Sequence, residues 1–473
     1  FGQNKEFNEK VRAALGNRVQ EAIDQESEKA ERQAALDALE GEVLARVWYA
    51  FRRHGITVPY PTTHVYSYPG PDQRAEERRL ALGRVIALLR QVDFLEALNR
   101  DALEQLAGQA PGFIAALTYL AGLRRAAGEA DFAAPFRKAA QRAPRDPNIP
   151  AAHVEALAAA DHSGEAAEVA AEARARFPAE PHVTLLEAIH AGAAGEWERA
   201  EAIFAGLADT GPQRLLHEAR HRLRSRDPQA AEALLAQVLR AAPGDIAAWA
   251  LRGIAWRLAD DERAAWLHEQ AGLVTLLPLE ARPGLLEEAT AHLRRLHAGA
   301  SLPLGQSLRG GTQTRGILFE RPDPLLAELH AAIRATLEAY RAQLPPADAA
   351  HPLLGHRDVP WRLAGSWSVR LTGGGDHHKA HIHPQGIVSS ALYLVVPERA
   401  GEEARREGWL EIGRPPPDLA LDCGRLRAIR PRPGHLALFP STLYHGTTPW
   451  HGTGDDEDER LTVAFDVTAA PAP

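Results

Sequence analysis

The sequence has no methionine and only one cysteine, Cys423, among 473 residues. A single cysteine excludes an internal disulfide framework and Cys-rich zinc sites, and it suits a reducing compartment, so a cytoplasmic location is expected. The missing methionine, not even an initiator, points to a fragment or an incomplete gene reading, with a processed N-terminus as the plain alternative. Long apolar runs are missing too: nothing approaches the roughly 20 residues of a membrane span, and no signal-peptide pattern opens the chain. Basic charge is not in excess. A formal net charge of −8 argues against a dedicated nucleic-acid binder, because phosphate contacts need a basic face. The arginine runs are interleaved with Glu and Ala and read as solvated helix surface.

What is present is ordinary for soluble globular protein, 45% hydrophobic and 25% charged. The length calls for two to four domains. Residues 2–54 are charged, Ala-rich and nearly free of Gly and Pro, with Leu44, Val47, Trp48 and Phe51 at helical spacing. Gly55 stops that helix, and an extended segment broken by Pro59 and Pro61 follows to Tyr66. The stretch from Val43 to Tyr66 resembles the cytoplasmic C-terminal end of small-conductance mechanosensitive channels, where a helix leads into a Gly-Ile-x-hydrophobic-Pro segment and a final assembling strand. Ile86 to Leu98, with Leu103 to Ala107, resembles the helical lead-in of a cyclic-nucleotide-binding domain, without the β-roll that would hold a nucleotide. An unrelated helical capping region is the other reading. Expected boundaries are 1–75 for the channel-tail-like region and 76–108 for a helical linker.

From Gln109 to Leu276 helix-length Ala-rich segments alternate with short Gly, Pro or Asp breaks. Pro144, Pro178 and Pro212 stand 34 residues apart, and Pro243 follows 31 residues later. A 34-residue period of paired helices, with proline ending the second, is the signature of tetratricopeptide-type repeats. Gly128-Glu129, Gly164-Glu165 and Gly195-Glu196-Trp197 mark the expected turns, and Ala166, Ala167, Ala170 and Ala171 a face allowing close helix approach. Residues 109–276 therefore resemble a tetratricopeptide solenoid of four to five repeats, a family that generally binds peptides or proteins. The alternative is a prop for the next domain or a dimerisation element; the sequence leaves the oligomeric state open.

After a helical linker, 277–300, composition changes. A Gly-rich loop through Gln313 and a helix between Pro324 and Gln343 precede short β-rich runs at 365–371, 387–396, 409–412, 435–439 and 460–467, punctuated by Gly and Pro. Such a pattern argues a two-sheet sandwich or jelly roll over 301–473. Within it, His381 and His383 stand two apart on an extended segment, so their side chains share a face and can hold one metal ion. The block Pro433 to His445 brings a third imidazole from another strand, and three His from two strands leave coordination positions open for substrate.

The order GSWSVRL, HIHP with SSALYL, GWLEIG, PGHLALFPSTLYHGT and ERLTVAFDV resembles the double-stranded β-helix of iron(II)- and 2-oxoglutarate-dependent oxygenases, above all bacterial members fused behind tetratricopeptide repeats. The resemblance implies a multidomain α + β chain, solenoid then jelly roll, with Fe(II) and 2-oxoglutarate as cofactors. It makes His381 the first ligand and His445 the distal one. Most members carry a carboxylate where this chain has His383, so either His383 binds in its place or a nearby acid such as Asp376 completes the set. His377 and His378 are entrance residues. Arg460, fifteen residues beyond His445, with Thr462 on the same face, would hold the distal carboxylate of 2-oxoglutarate, because guanidinium is a bidentate, always-charged partner. Tyr393 would offer its hydroxyl to the co-substrate or simply pack. Hydroxylation of a protein or peptide recruited by the repeats is the implied outcome. A cupin-type dioxygenase or isomerase is the rival, with Gly375 and His381-x-His383 in place but Ile387 and Val388 where a Glu is expected; a non-catalytic scaffold is the other.

Overall fold

The computed structural model describes residues 100–208, 211–298, 300, 306–314, 316–397, 405–452 and 458–469. The channel-tail-like segment 43–66 and the lead-in at 86–98 lie outside them. The described residues fall in two compact units that divide at Phe177/Pro178.

The first unit holds α1 (Arg100–Gln109), α2 (Ile114–Ala126), α3 (Ala134–Arg142), α4 (Asn148–Ala159) and α5 (Ser163–Arg176). Its helices pack through small and aromatic side chains. Ala166, Ala167 and Ala170 of α5 are wholly buried, and Phe136 stacks on His153 with ring centroids 5.6 Å apart. The turn expected at Gly164 lies three residues earlier. Gly164 is inside the first turn of α5, and Asp161 takes the left-handed conformation with φ 70°, which Asp tolerates because its short side chain bonds locally.

The second unit opens with helical pairs: α6 (Pro181–Ala193) with α7 (Trp197–Gly206), α8 (Pro212–Arg224) with α9 (Pro228–Ala241), and α10 (Ile246–Leu258) with α11 (Arg263–His268). Asp227 and Asp245 cap α9 and α10 by accepting from the amides of Ala230 and Ala248. Pro144, Pro178 and Pro243 follow helix ends, whereas Pro212 opens α8 at its first turn. There its fixed φ is already helical and its missing N–H is one that would be unpaired anyway.

Strand β1 (Thr275–Pro278) follows, then α12 (Leu285–His297), β2 (Leu308–Arg309), β3 (Thr312–Gln313), α13 (Pro324–Gln343), β4 (Trp361–Leu371), β5 (His377–His378), β6 (Val388–Val395), β7 (Leu410–Ile412), β8 (Arg427–Ile429), β9 (His435–Pro440), β10 (His445–Thr447) and β11 (Arg460–Ala469). All pairings are antiparallel. One sheet has the order β1-β9-β6-β11-β4-β3, a second β10-β7-β8, and β2 pairs with β5. Residues 275–276, expected to close the repeats, and 277–278, expected to open the helical linker, together form the sheet's edge strand, where the terminal Pro278 needs no amide.

Strand alternation sorts the large sheet's two faces. Leu461, Val463, Phe465 and Val467 pack outward on Leu326, Leu329, Ile333 and Leu337 of α13. Arg460, Thr462 and Asp466 take the opposite face, where Tyr393, Leu410, Ile412 and Phe439 form the core between the sheets. Each buried Leu, Val or Phe contributes roughly 1.5–3 kcal/mol. A one-residue slip of β11 would drive Arg460 into the apolar layer, so the register is fixed. None of the described helices is long and apolar enough to cross a membrane.

Candidate metal centre

Two backbone hydrogen bonds build the site. His381 and His445 exchange amide and carbonyl, both at 2.9 Å, as an isolated antiparallel bridge, and residues paired in that way point to the same face. His383, two positions on, joins them. The ligand nitrogens of His381, His383 and His445 lie within 4.8 Å of one another, and the Nε2 atoms of His381 and His383 are 3.0 Å apart.

Each ring is held by its other nitrogen. Nδ1 of His381 meets the carbonyl of Lys379 at 2.7 Å, Nδ1 of His445 that of Leu443 at 3.1 Å, and Nδ1 of His383 the carboxylate of Asp466. A carbonyl or carboxylate only accepts, so each Nδ1 carries the proton. Burial, reinforced by the neighbouring His383, pushes His381 down to about 3. Burial likewise holds His445 well below the ordinary imidazole value, with His381 and His383 adding to it. With His381 and His445 neutral and protonated on Nδ1, their Nε2 lone pairs turn inward toward Nε2 of His383. Lone pairs face to face repel unless a cation stands between them. Two nitrogens each about 2.1 Å from one ion at a right angle stand about 3 Å apart, so the cluster has the dimensions of a metal seat. Tying the distal ring nitrogen to a carbonyl or carboxylate is also how metal-binding imidazoles are oriented.

The walls are aromatic. Trp367 stacks on His383 with centroids 5.2 Å apart, and Phe439 meets His445 edge-on at 4.8 Å. Behind the centre, Ile382 and Tyr444, which alternate with the imidazoles, point the other way and pack with Leu215, Trp249 and Trp256 of the helical pairs.

Asp376, the alternative acid, is engaged elsewhere. Its carboxylate accepts from the amides of Thr372 at 2.9 Å and Gly373 at 3.3 Å, closing the Gly-rich turn. A Cβ on Gly310 would come 1.8 Å from that carboxylate, at a φ of +75°. His377 bonds the Gly375 carbonyl at 2.8 Å. His378 lies against His381, centroids 5.7 Å apart, with Nδ1 3.0 Å from Ser307 Oγ. Ser389 pairs with Ser441 at 2.9 Å, and Ser390 donates to the Phe465 carbonyl at 2.8 Å.

Deeper in the sandwich, Arg460 is 2% exposed. Among the described residues no carboxylate lies within ion-pair reach of it, and its Nε and the Tyr393 hydroxyl are buried without a hydrogen-bond partner. The guanidinium lies 5.2 Å from the centre of the Tyr393 ring. Thr462 pairs with Tyr393 across the sheet and donates to the Val369 carbonyl at 3.4 Å. A buried cation with an idle phenol beside it has the chemistry of a carboxylate receptor. Asp466 is absent from the sequence-derived candidates, although a signal was there: it is six residues after Arg460, so strand alternation puts both on one face.

Residues 365–466 match the family model described as "Putative 2OG-Fe(II) oxygenase", which supports an oxygenase-type domain over this stretch. No curated protein matches the sequence. Among solved structures, a Pseudomonas putida prolyl-4-hydroxylase is 18% identical, with 44% of this chain and 97% of that chain covered and a TM-score of 0.29. A Trichoplax adhaerens prolyl hydroxylase in complex with a peptide fragment of hypoxia inducible factor is 14% identical over 45% and 93%, with a TM-score of 0.30. HygX from Streptomyces hygroscopicus, with nickel and 2-oxoglutarate bound, is 14% identical over 44% and 86%, with a TM-score of 0.30. The family match and the three converging imidazoles together support Fe(II) and 2-oxoglutarate as the cofactor pair.

Proposed function

We propose that this chain is an Fe(II)- and 2-oxoglutarate-dependent hydroxylase in which His381, His383 and His445 hold the metal and Arg460, with Tyr393 and Thr462, receives the distal carboxylate of 2-oxoglutarate. The observation that carries this reading is the convergence of three imidazoles, each tied back through Nδ1, in a sandwich that also buries a guanidinium without a carboxylate partner. When bound, the iron and its co-substrate supply the oxidation of a C–H bond by dioxygen. The chain's own part is to fix ring orientation, to neutralise the co-substrate's far carboxylate and to keep water out with Trp367 and Phe439.

The helical region is read as tetratricopeptide-type repeats over 109–276 ahead of a catalytic jelly roll over 301–473. Arrays of helical pairs suit an extended chain, so a protein or peptide is the favoured substrate class, acted on in the cytoplasm. The test is anaerobic titration with Fe(II) and 2-oxoglutarate, following the visible charge-transfer band of the chelate. Wild type should show the band, His381→Ala and His445→Ala should lose it, and Arg460→Ala should need far more 2-oxoglutarate. Iron binding without any band would sink the 2-oxoglutarate assignment.

A further inference from the structure

We infer that Asp466 is the positioning carboxylate of this metal centre, supplying from one hydrogen bond away the negative charge that a direct carboxylate ligand would bring. The inference rests on the reading of the three imidazoles as the ligand set. Two neutral imidazoles and one carboxylate around a divalent ion leave a net charge of about +1, whereas three neutral imidazoles leave about +2. Asp466 accepts from Nδ1 of His383, the ring that occupies the carboxylate's usual place. The pair restores the lower charge while also fixing which nitrogen of His383 faces the metal.

The surroundings are arranged for that role. Asp466 sits on β11 between Gly365 of β4 and Ser389 of β6, with a register shift against β4 just after it. Gly365 lies alongside it, and even a Cβ there would make only ordinary contact, with Trp367 at 3.5 Å and the Asp466 carboxylate at 3.9 Å. Among the described residues no lysine or arginine reaches the Asp466 carboxylate, and His383 is the side chain it meets. The carboxylate is 15% and the imidazole 13% exposed, so water screens their interaction only partly. The same strand carries Arg460 on the same face, so β11 links the metal end and the co-substrate end of the site.

The test uses the full chain and cobalt(II), with metal affinity measured for wild type, Asp466→Asn, Asp466→Ala, His383→Asp and His383→Asp combined with Asp466→Asn. Asn keeps an acceptor but removes the charge, and Ala removes both. Metal affinity should fall about tenfold in the first and toward a hundredfold in the second. Where position 383 itself carries the carboxylate, removing the Asp466 charge should change affinity less than about twofold, because the group it orients is gone. Equal losses in both backgrounds would mean that Asp466 merely supports the sheet, and the inference would fall. Should His383→Asp hold no metal, proton NMR of the cobalt protein decides. Wild type should show three paramagnetically shifted ring N–H resonances, one of which moves or exchanges away in Asp466→Ala while two stay. Three unmoved resonances overturn the role of Asp466; fewer than three in wild type overturn the ligand set instead.

Discussion

Arg220 of α8 donates to the hydroxyl of Tyr444 at 3.1 Å, one residue before His445. The same arginine and Arg224 share the carboxylate of Asp418, at 2.6 and 2.8 Å. Further along, Arg257 of α10 donates to the carbonyls of Gly413, Cys423 and Gly424, and His268 meets Thr442 Oγ1 at 3.1 Å. The helical pairs from α8 onward are therefore fastened to the outer side of the segments whose inner side carries His381 and His445. Replacing Arg220 by Ala would leave the Tyr444 hydroxyl without its partner and Asp418 with one cation in place of two. A loss on the order of 1–3 kcal/mol is expected, together with weaker metal retention, measured by urea melts with and without cobalt(II). Unchanged melts would show that these contacts do not hold the segment that carries His445.

How far the sequence disclosed this arrangement depends on the distance between cause and effect along the chain. His381 and His383 were legible because strand alternation is local, and the strands near 365–371 and 435–439 because their apolar patterning is. Asp418 was not, since its partners lie 194 and 198 residues away and an Asp in a Pro-rich loop has no local mark of pairing. Residues 275–278 were not read as a strand, because four residues straddling the end of a helical region are too few for alternation to show; only pairing with β9 makes them one. The idle Arg460 could be named from its place on the last strand, but its lack of an acidic partner is a property of packing.

Acid should unfold the second unit earlier than its carboxylates alone would dictate. Burial, with Arg224 adding to it, pushes His190 down to about 4. His217 is brought to about 4 by burial and by Arg220, Arg224 and His190, partly opposed by Asp418. His297 reaches about 4 through burial and Arg370, and His268 about 3 through burial, His351 and Arg257. A base whose folded value lies below its unfolded value of about 6.5 is neutral in both states above that pH, so no stability is lost there. Below it the unfolded chain takes up protons that the folded chain refuses, and stability falls as pH drops toward 4. Each group sets a limiting slope of about 1.4 kcal/mol per pH unit. Urea midpoints from pH 7.5 to 4.5 should be flat, then descend, and His268→Gln should descend less steeply. A profile flat down to pH 5 would contradict the burial of these rings.

Gly310 should resist substitution more than an ordinary loop glycine. Its φ of +75° already disfavours a side chain, and a Cβ would collide with the Asp376 carboxylate, which holds the turn leading to β5 and His378. Gly310→Ala is expected to cost more than the roughly 1 kcal/mol of an unobstructed left-handed position, and to weaken cobalt(II) binding as well. A variant with wild-type urea midpoint and metal affinity would show that the turn at Asp376 adjusts freely.

Removing the charge at 460 should move stability and co-substrate binding in opposite directions. Arg460 is buried with its Nε unsatisfied and no carboxylate beside it among the described residues, and burial holds its pKa below the ordinary guanidinium value, opposed by Tyr393. In the absence of co-substrate that charge is a cost, offset in part by the Tyr393 ring. Arg460→Met keeps most of the volume and eliminates the unpaired group, so the ligand-free chain should gain about 1–3 kcal/mol. The same variant would lose the bidentate partner proposed for the far carboxylate of 2-oxoglutarate. Wild type loaded with metal should gain about 2.7 kcal/mol from 2-oxoglutarate at a hundred times its dissociation constant, and Arg460→Met close to nothing at that concentration. Arg460→Lys, a charge without the planar fork, should fall between the two. Urea melts of the three proteins with and without 2-oxoglutarate decide it: a less stable empty Arg460→Met chain would mean that Arg460 is a structural residue satisfied within the fold, and the co-substrate's carboxylate would have to be received elsewhere.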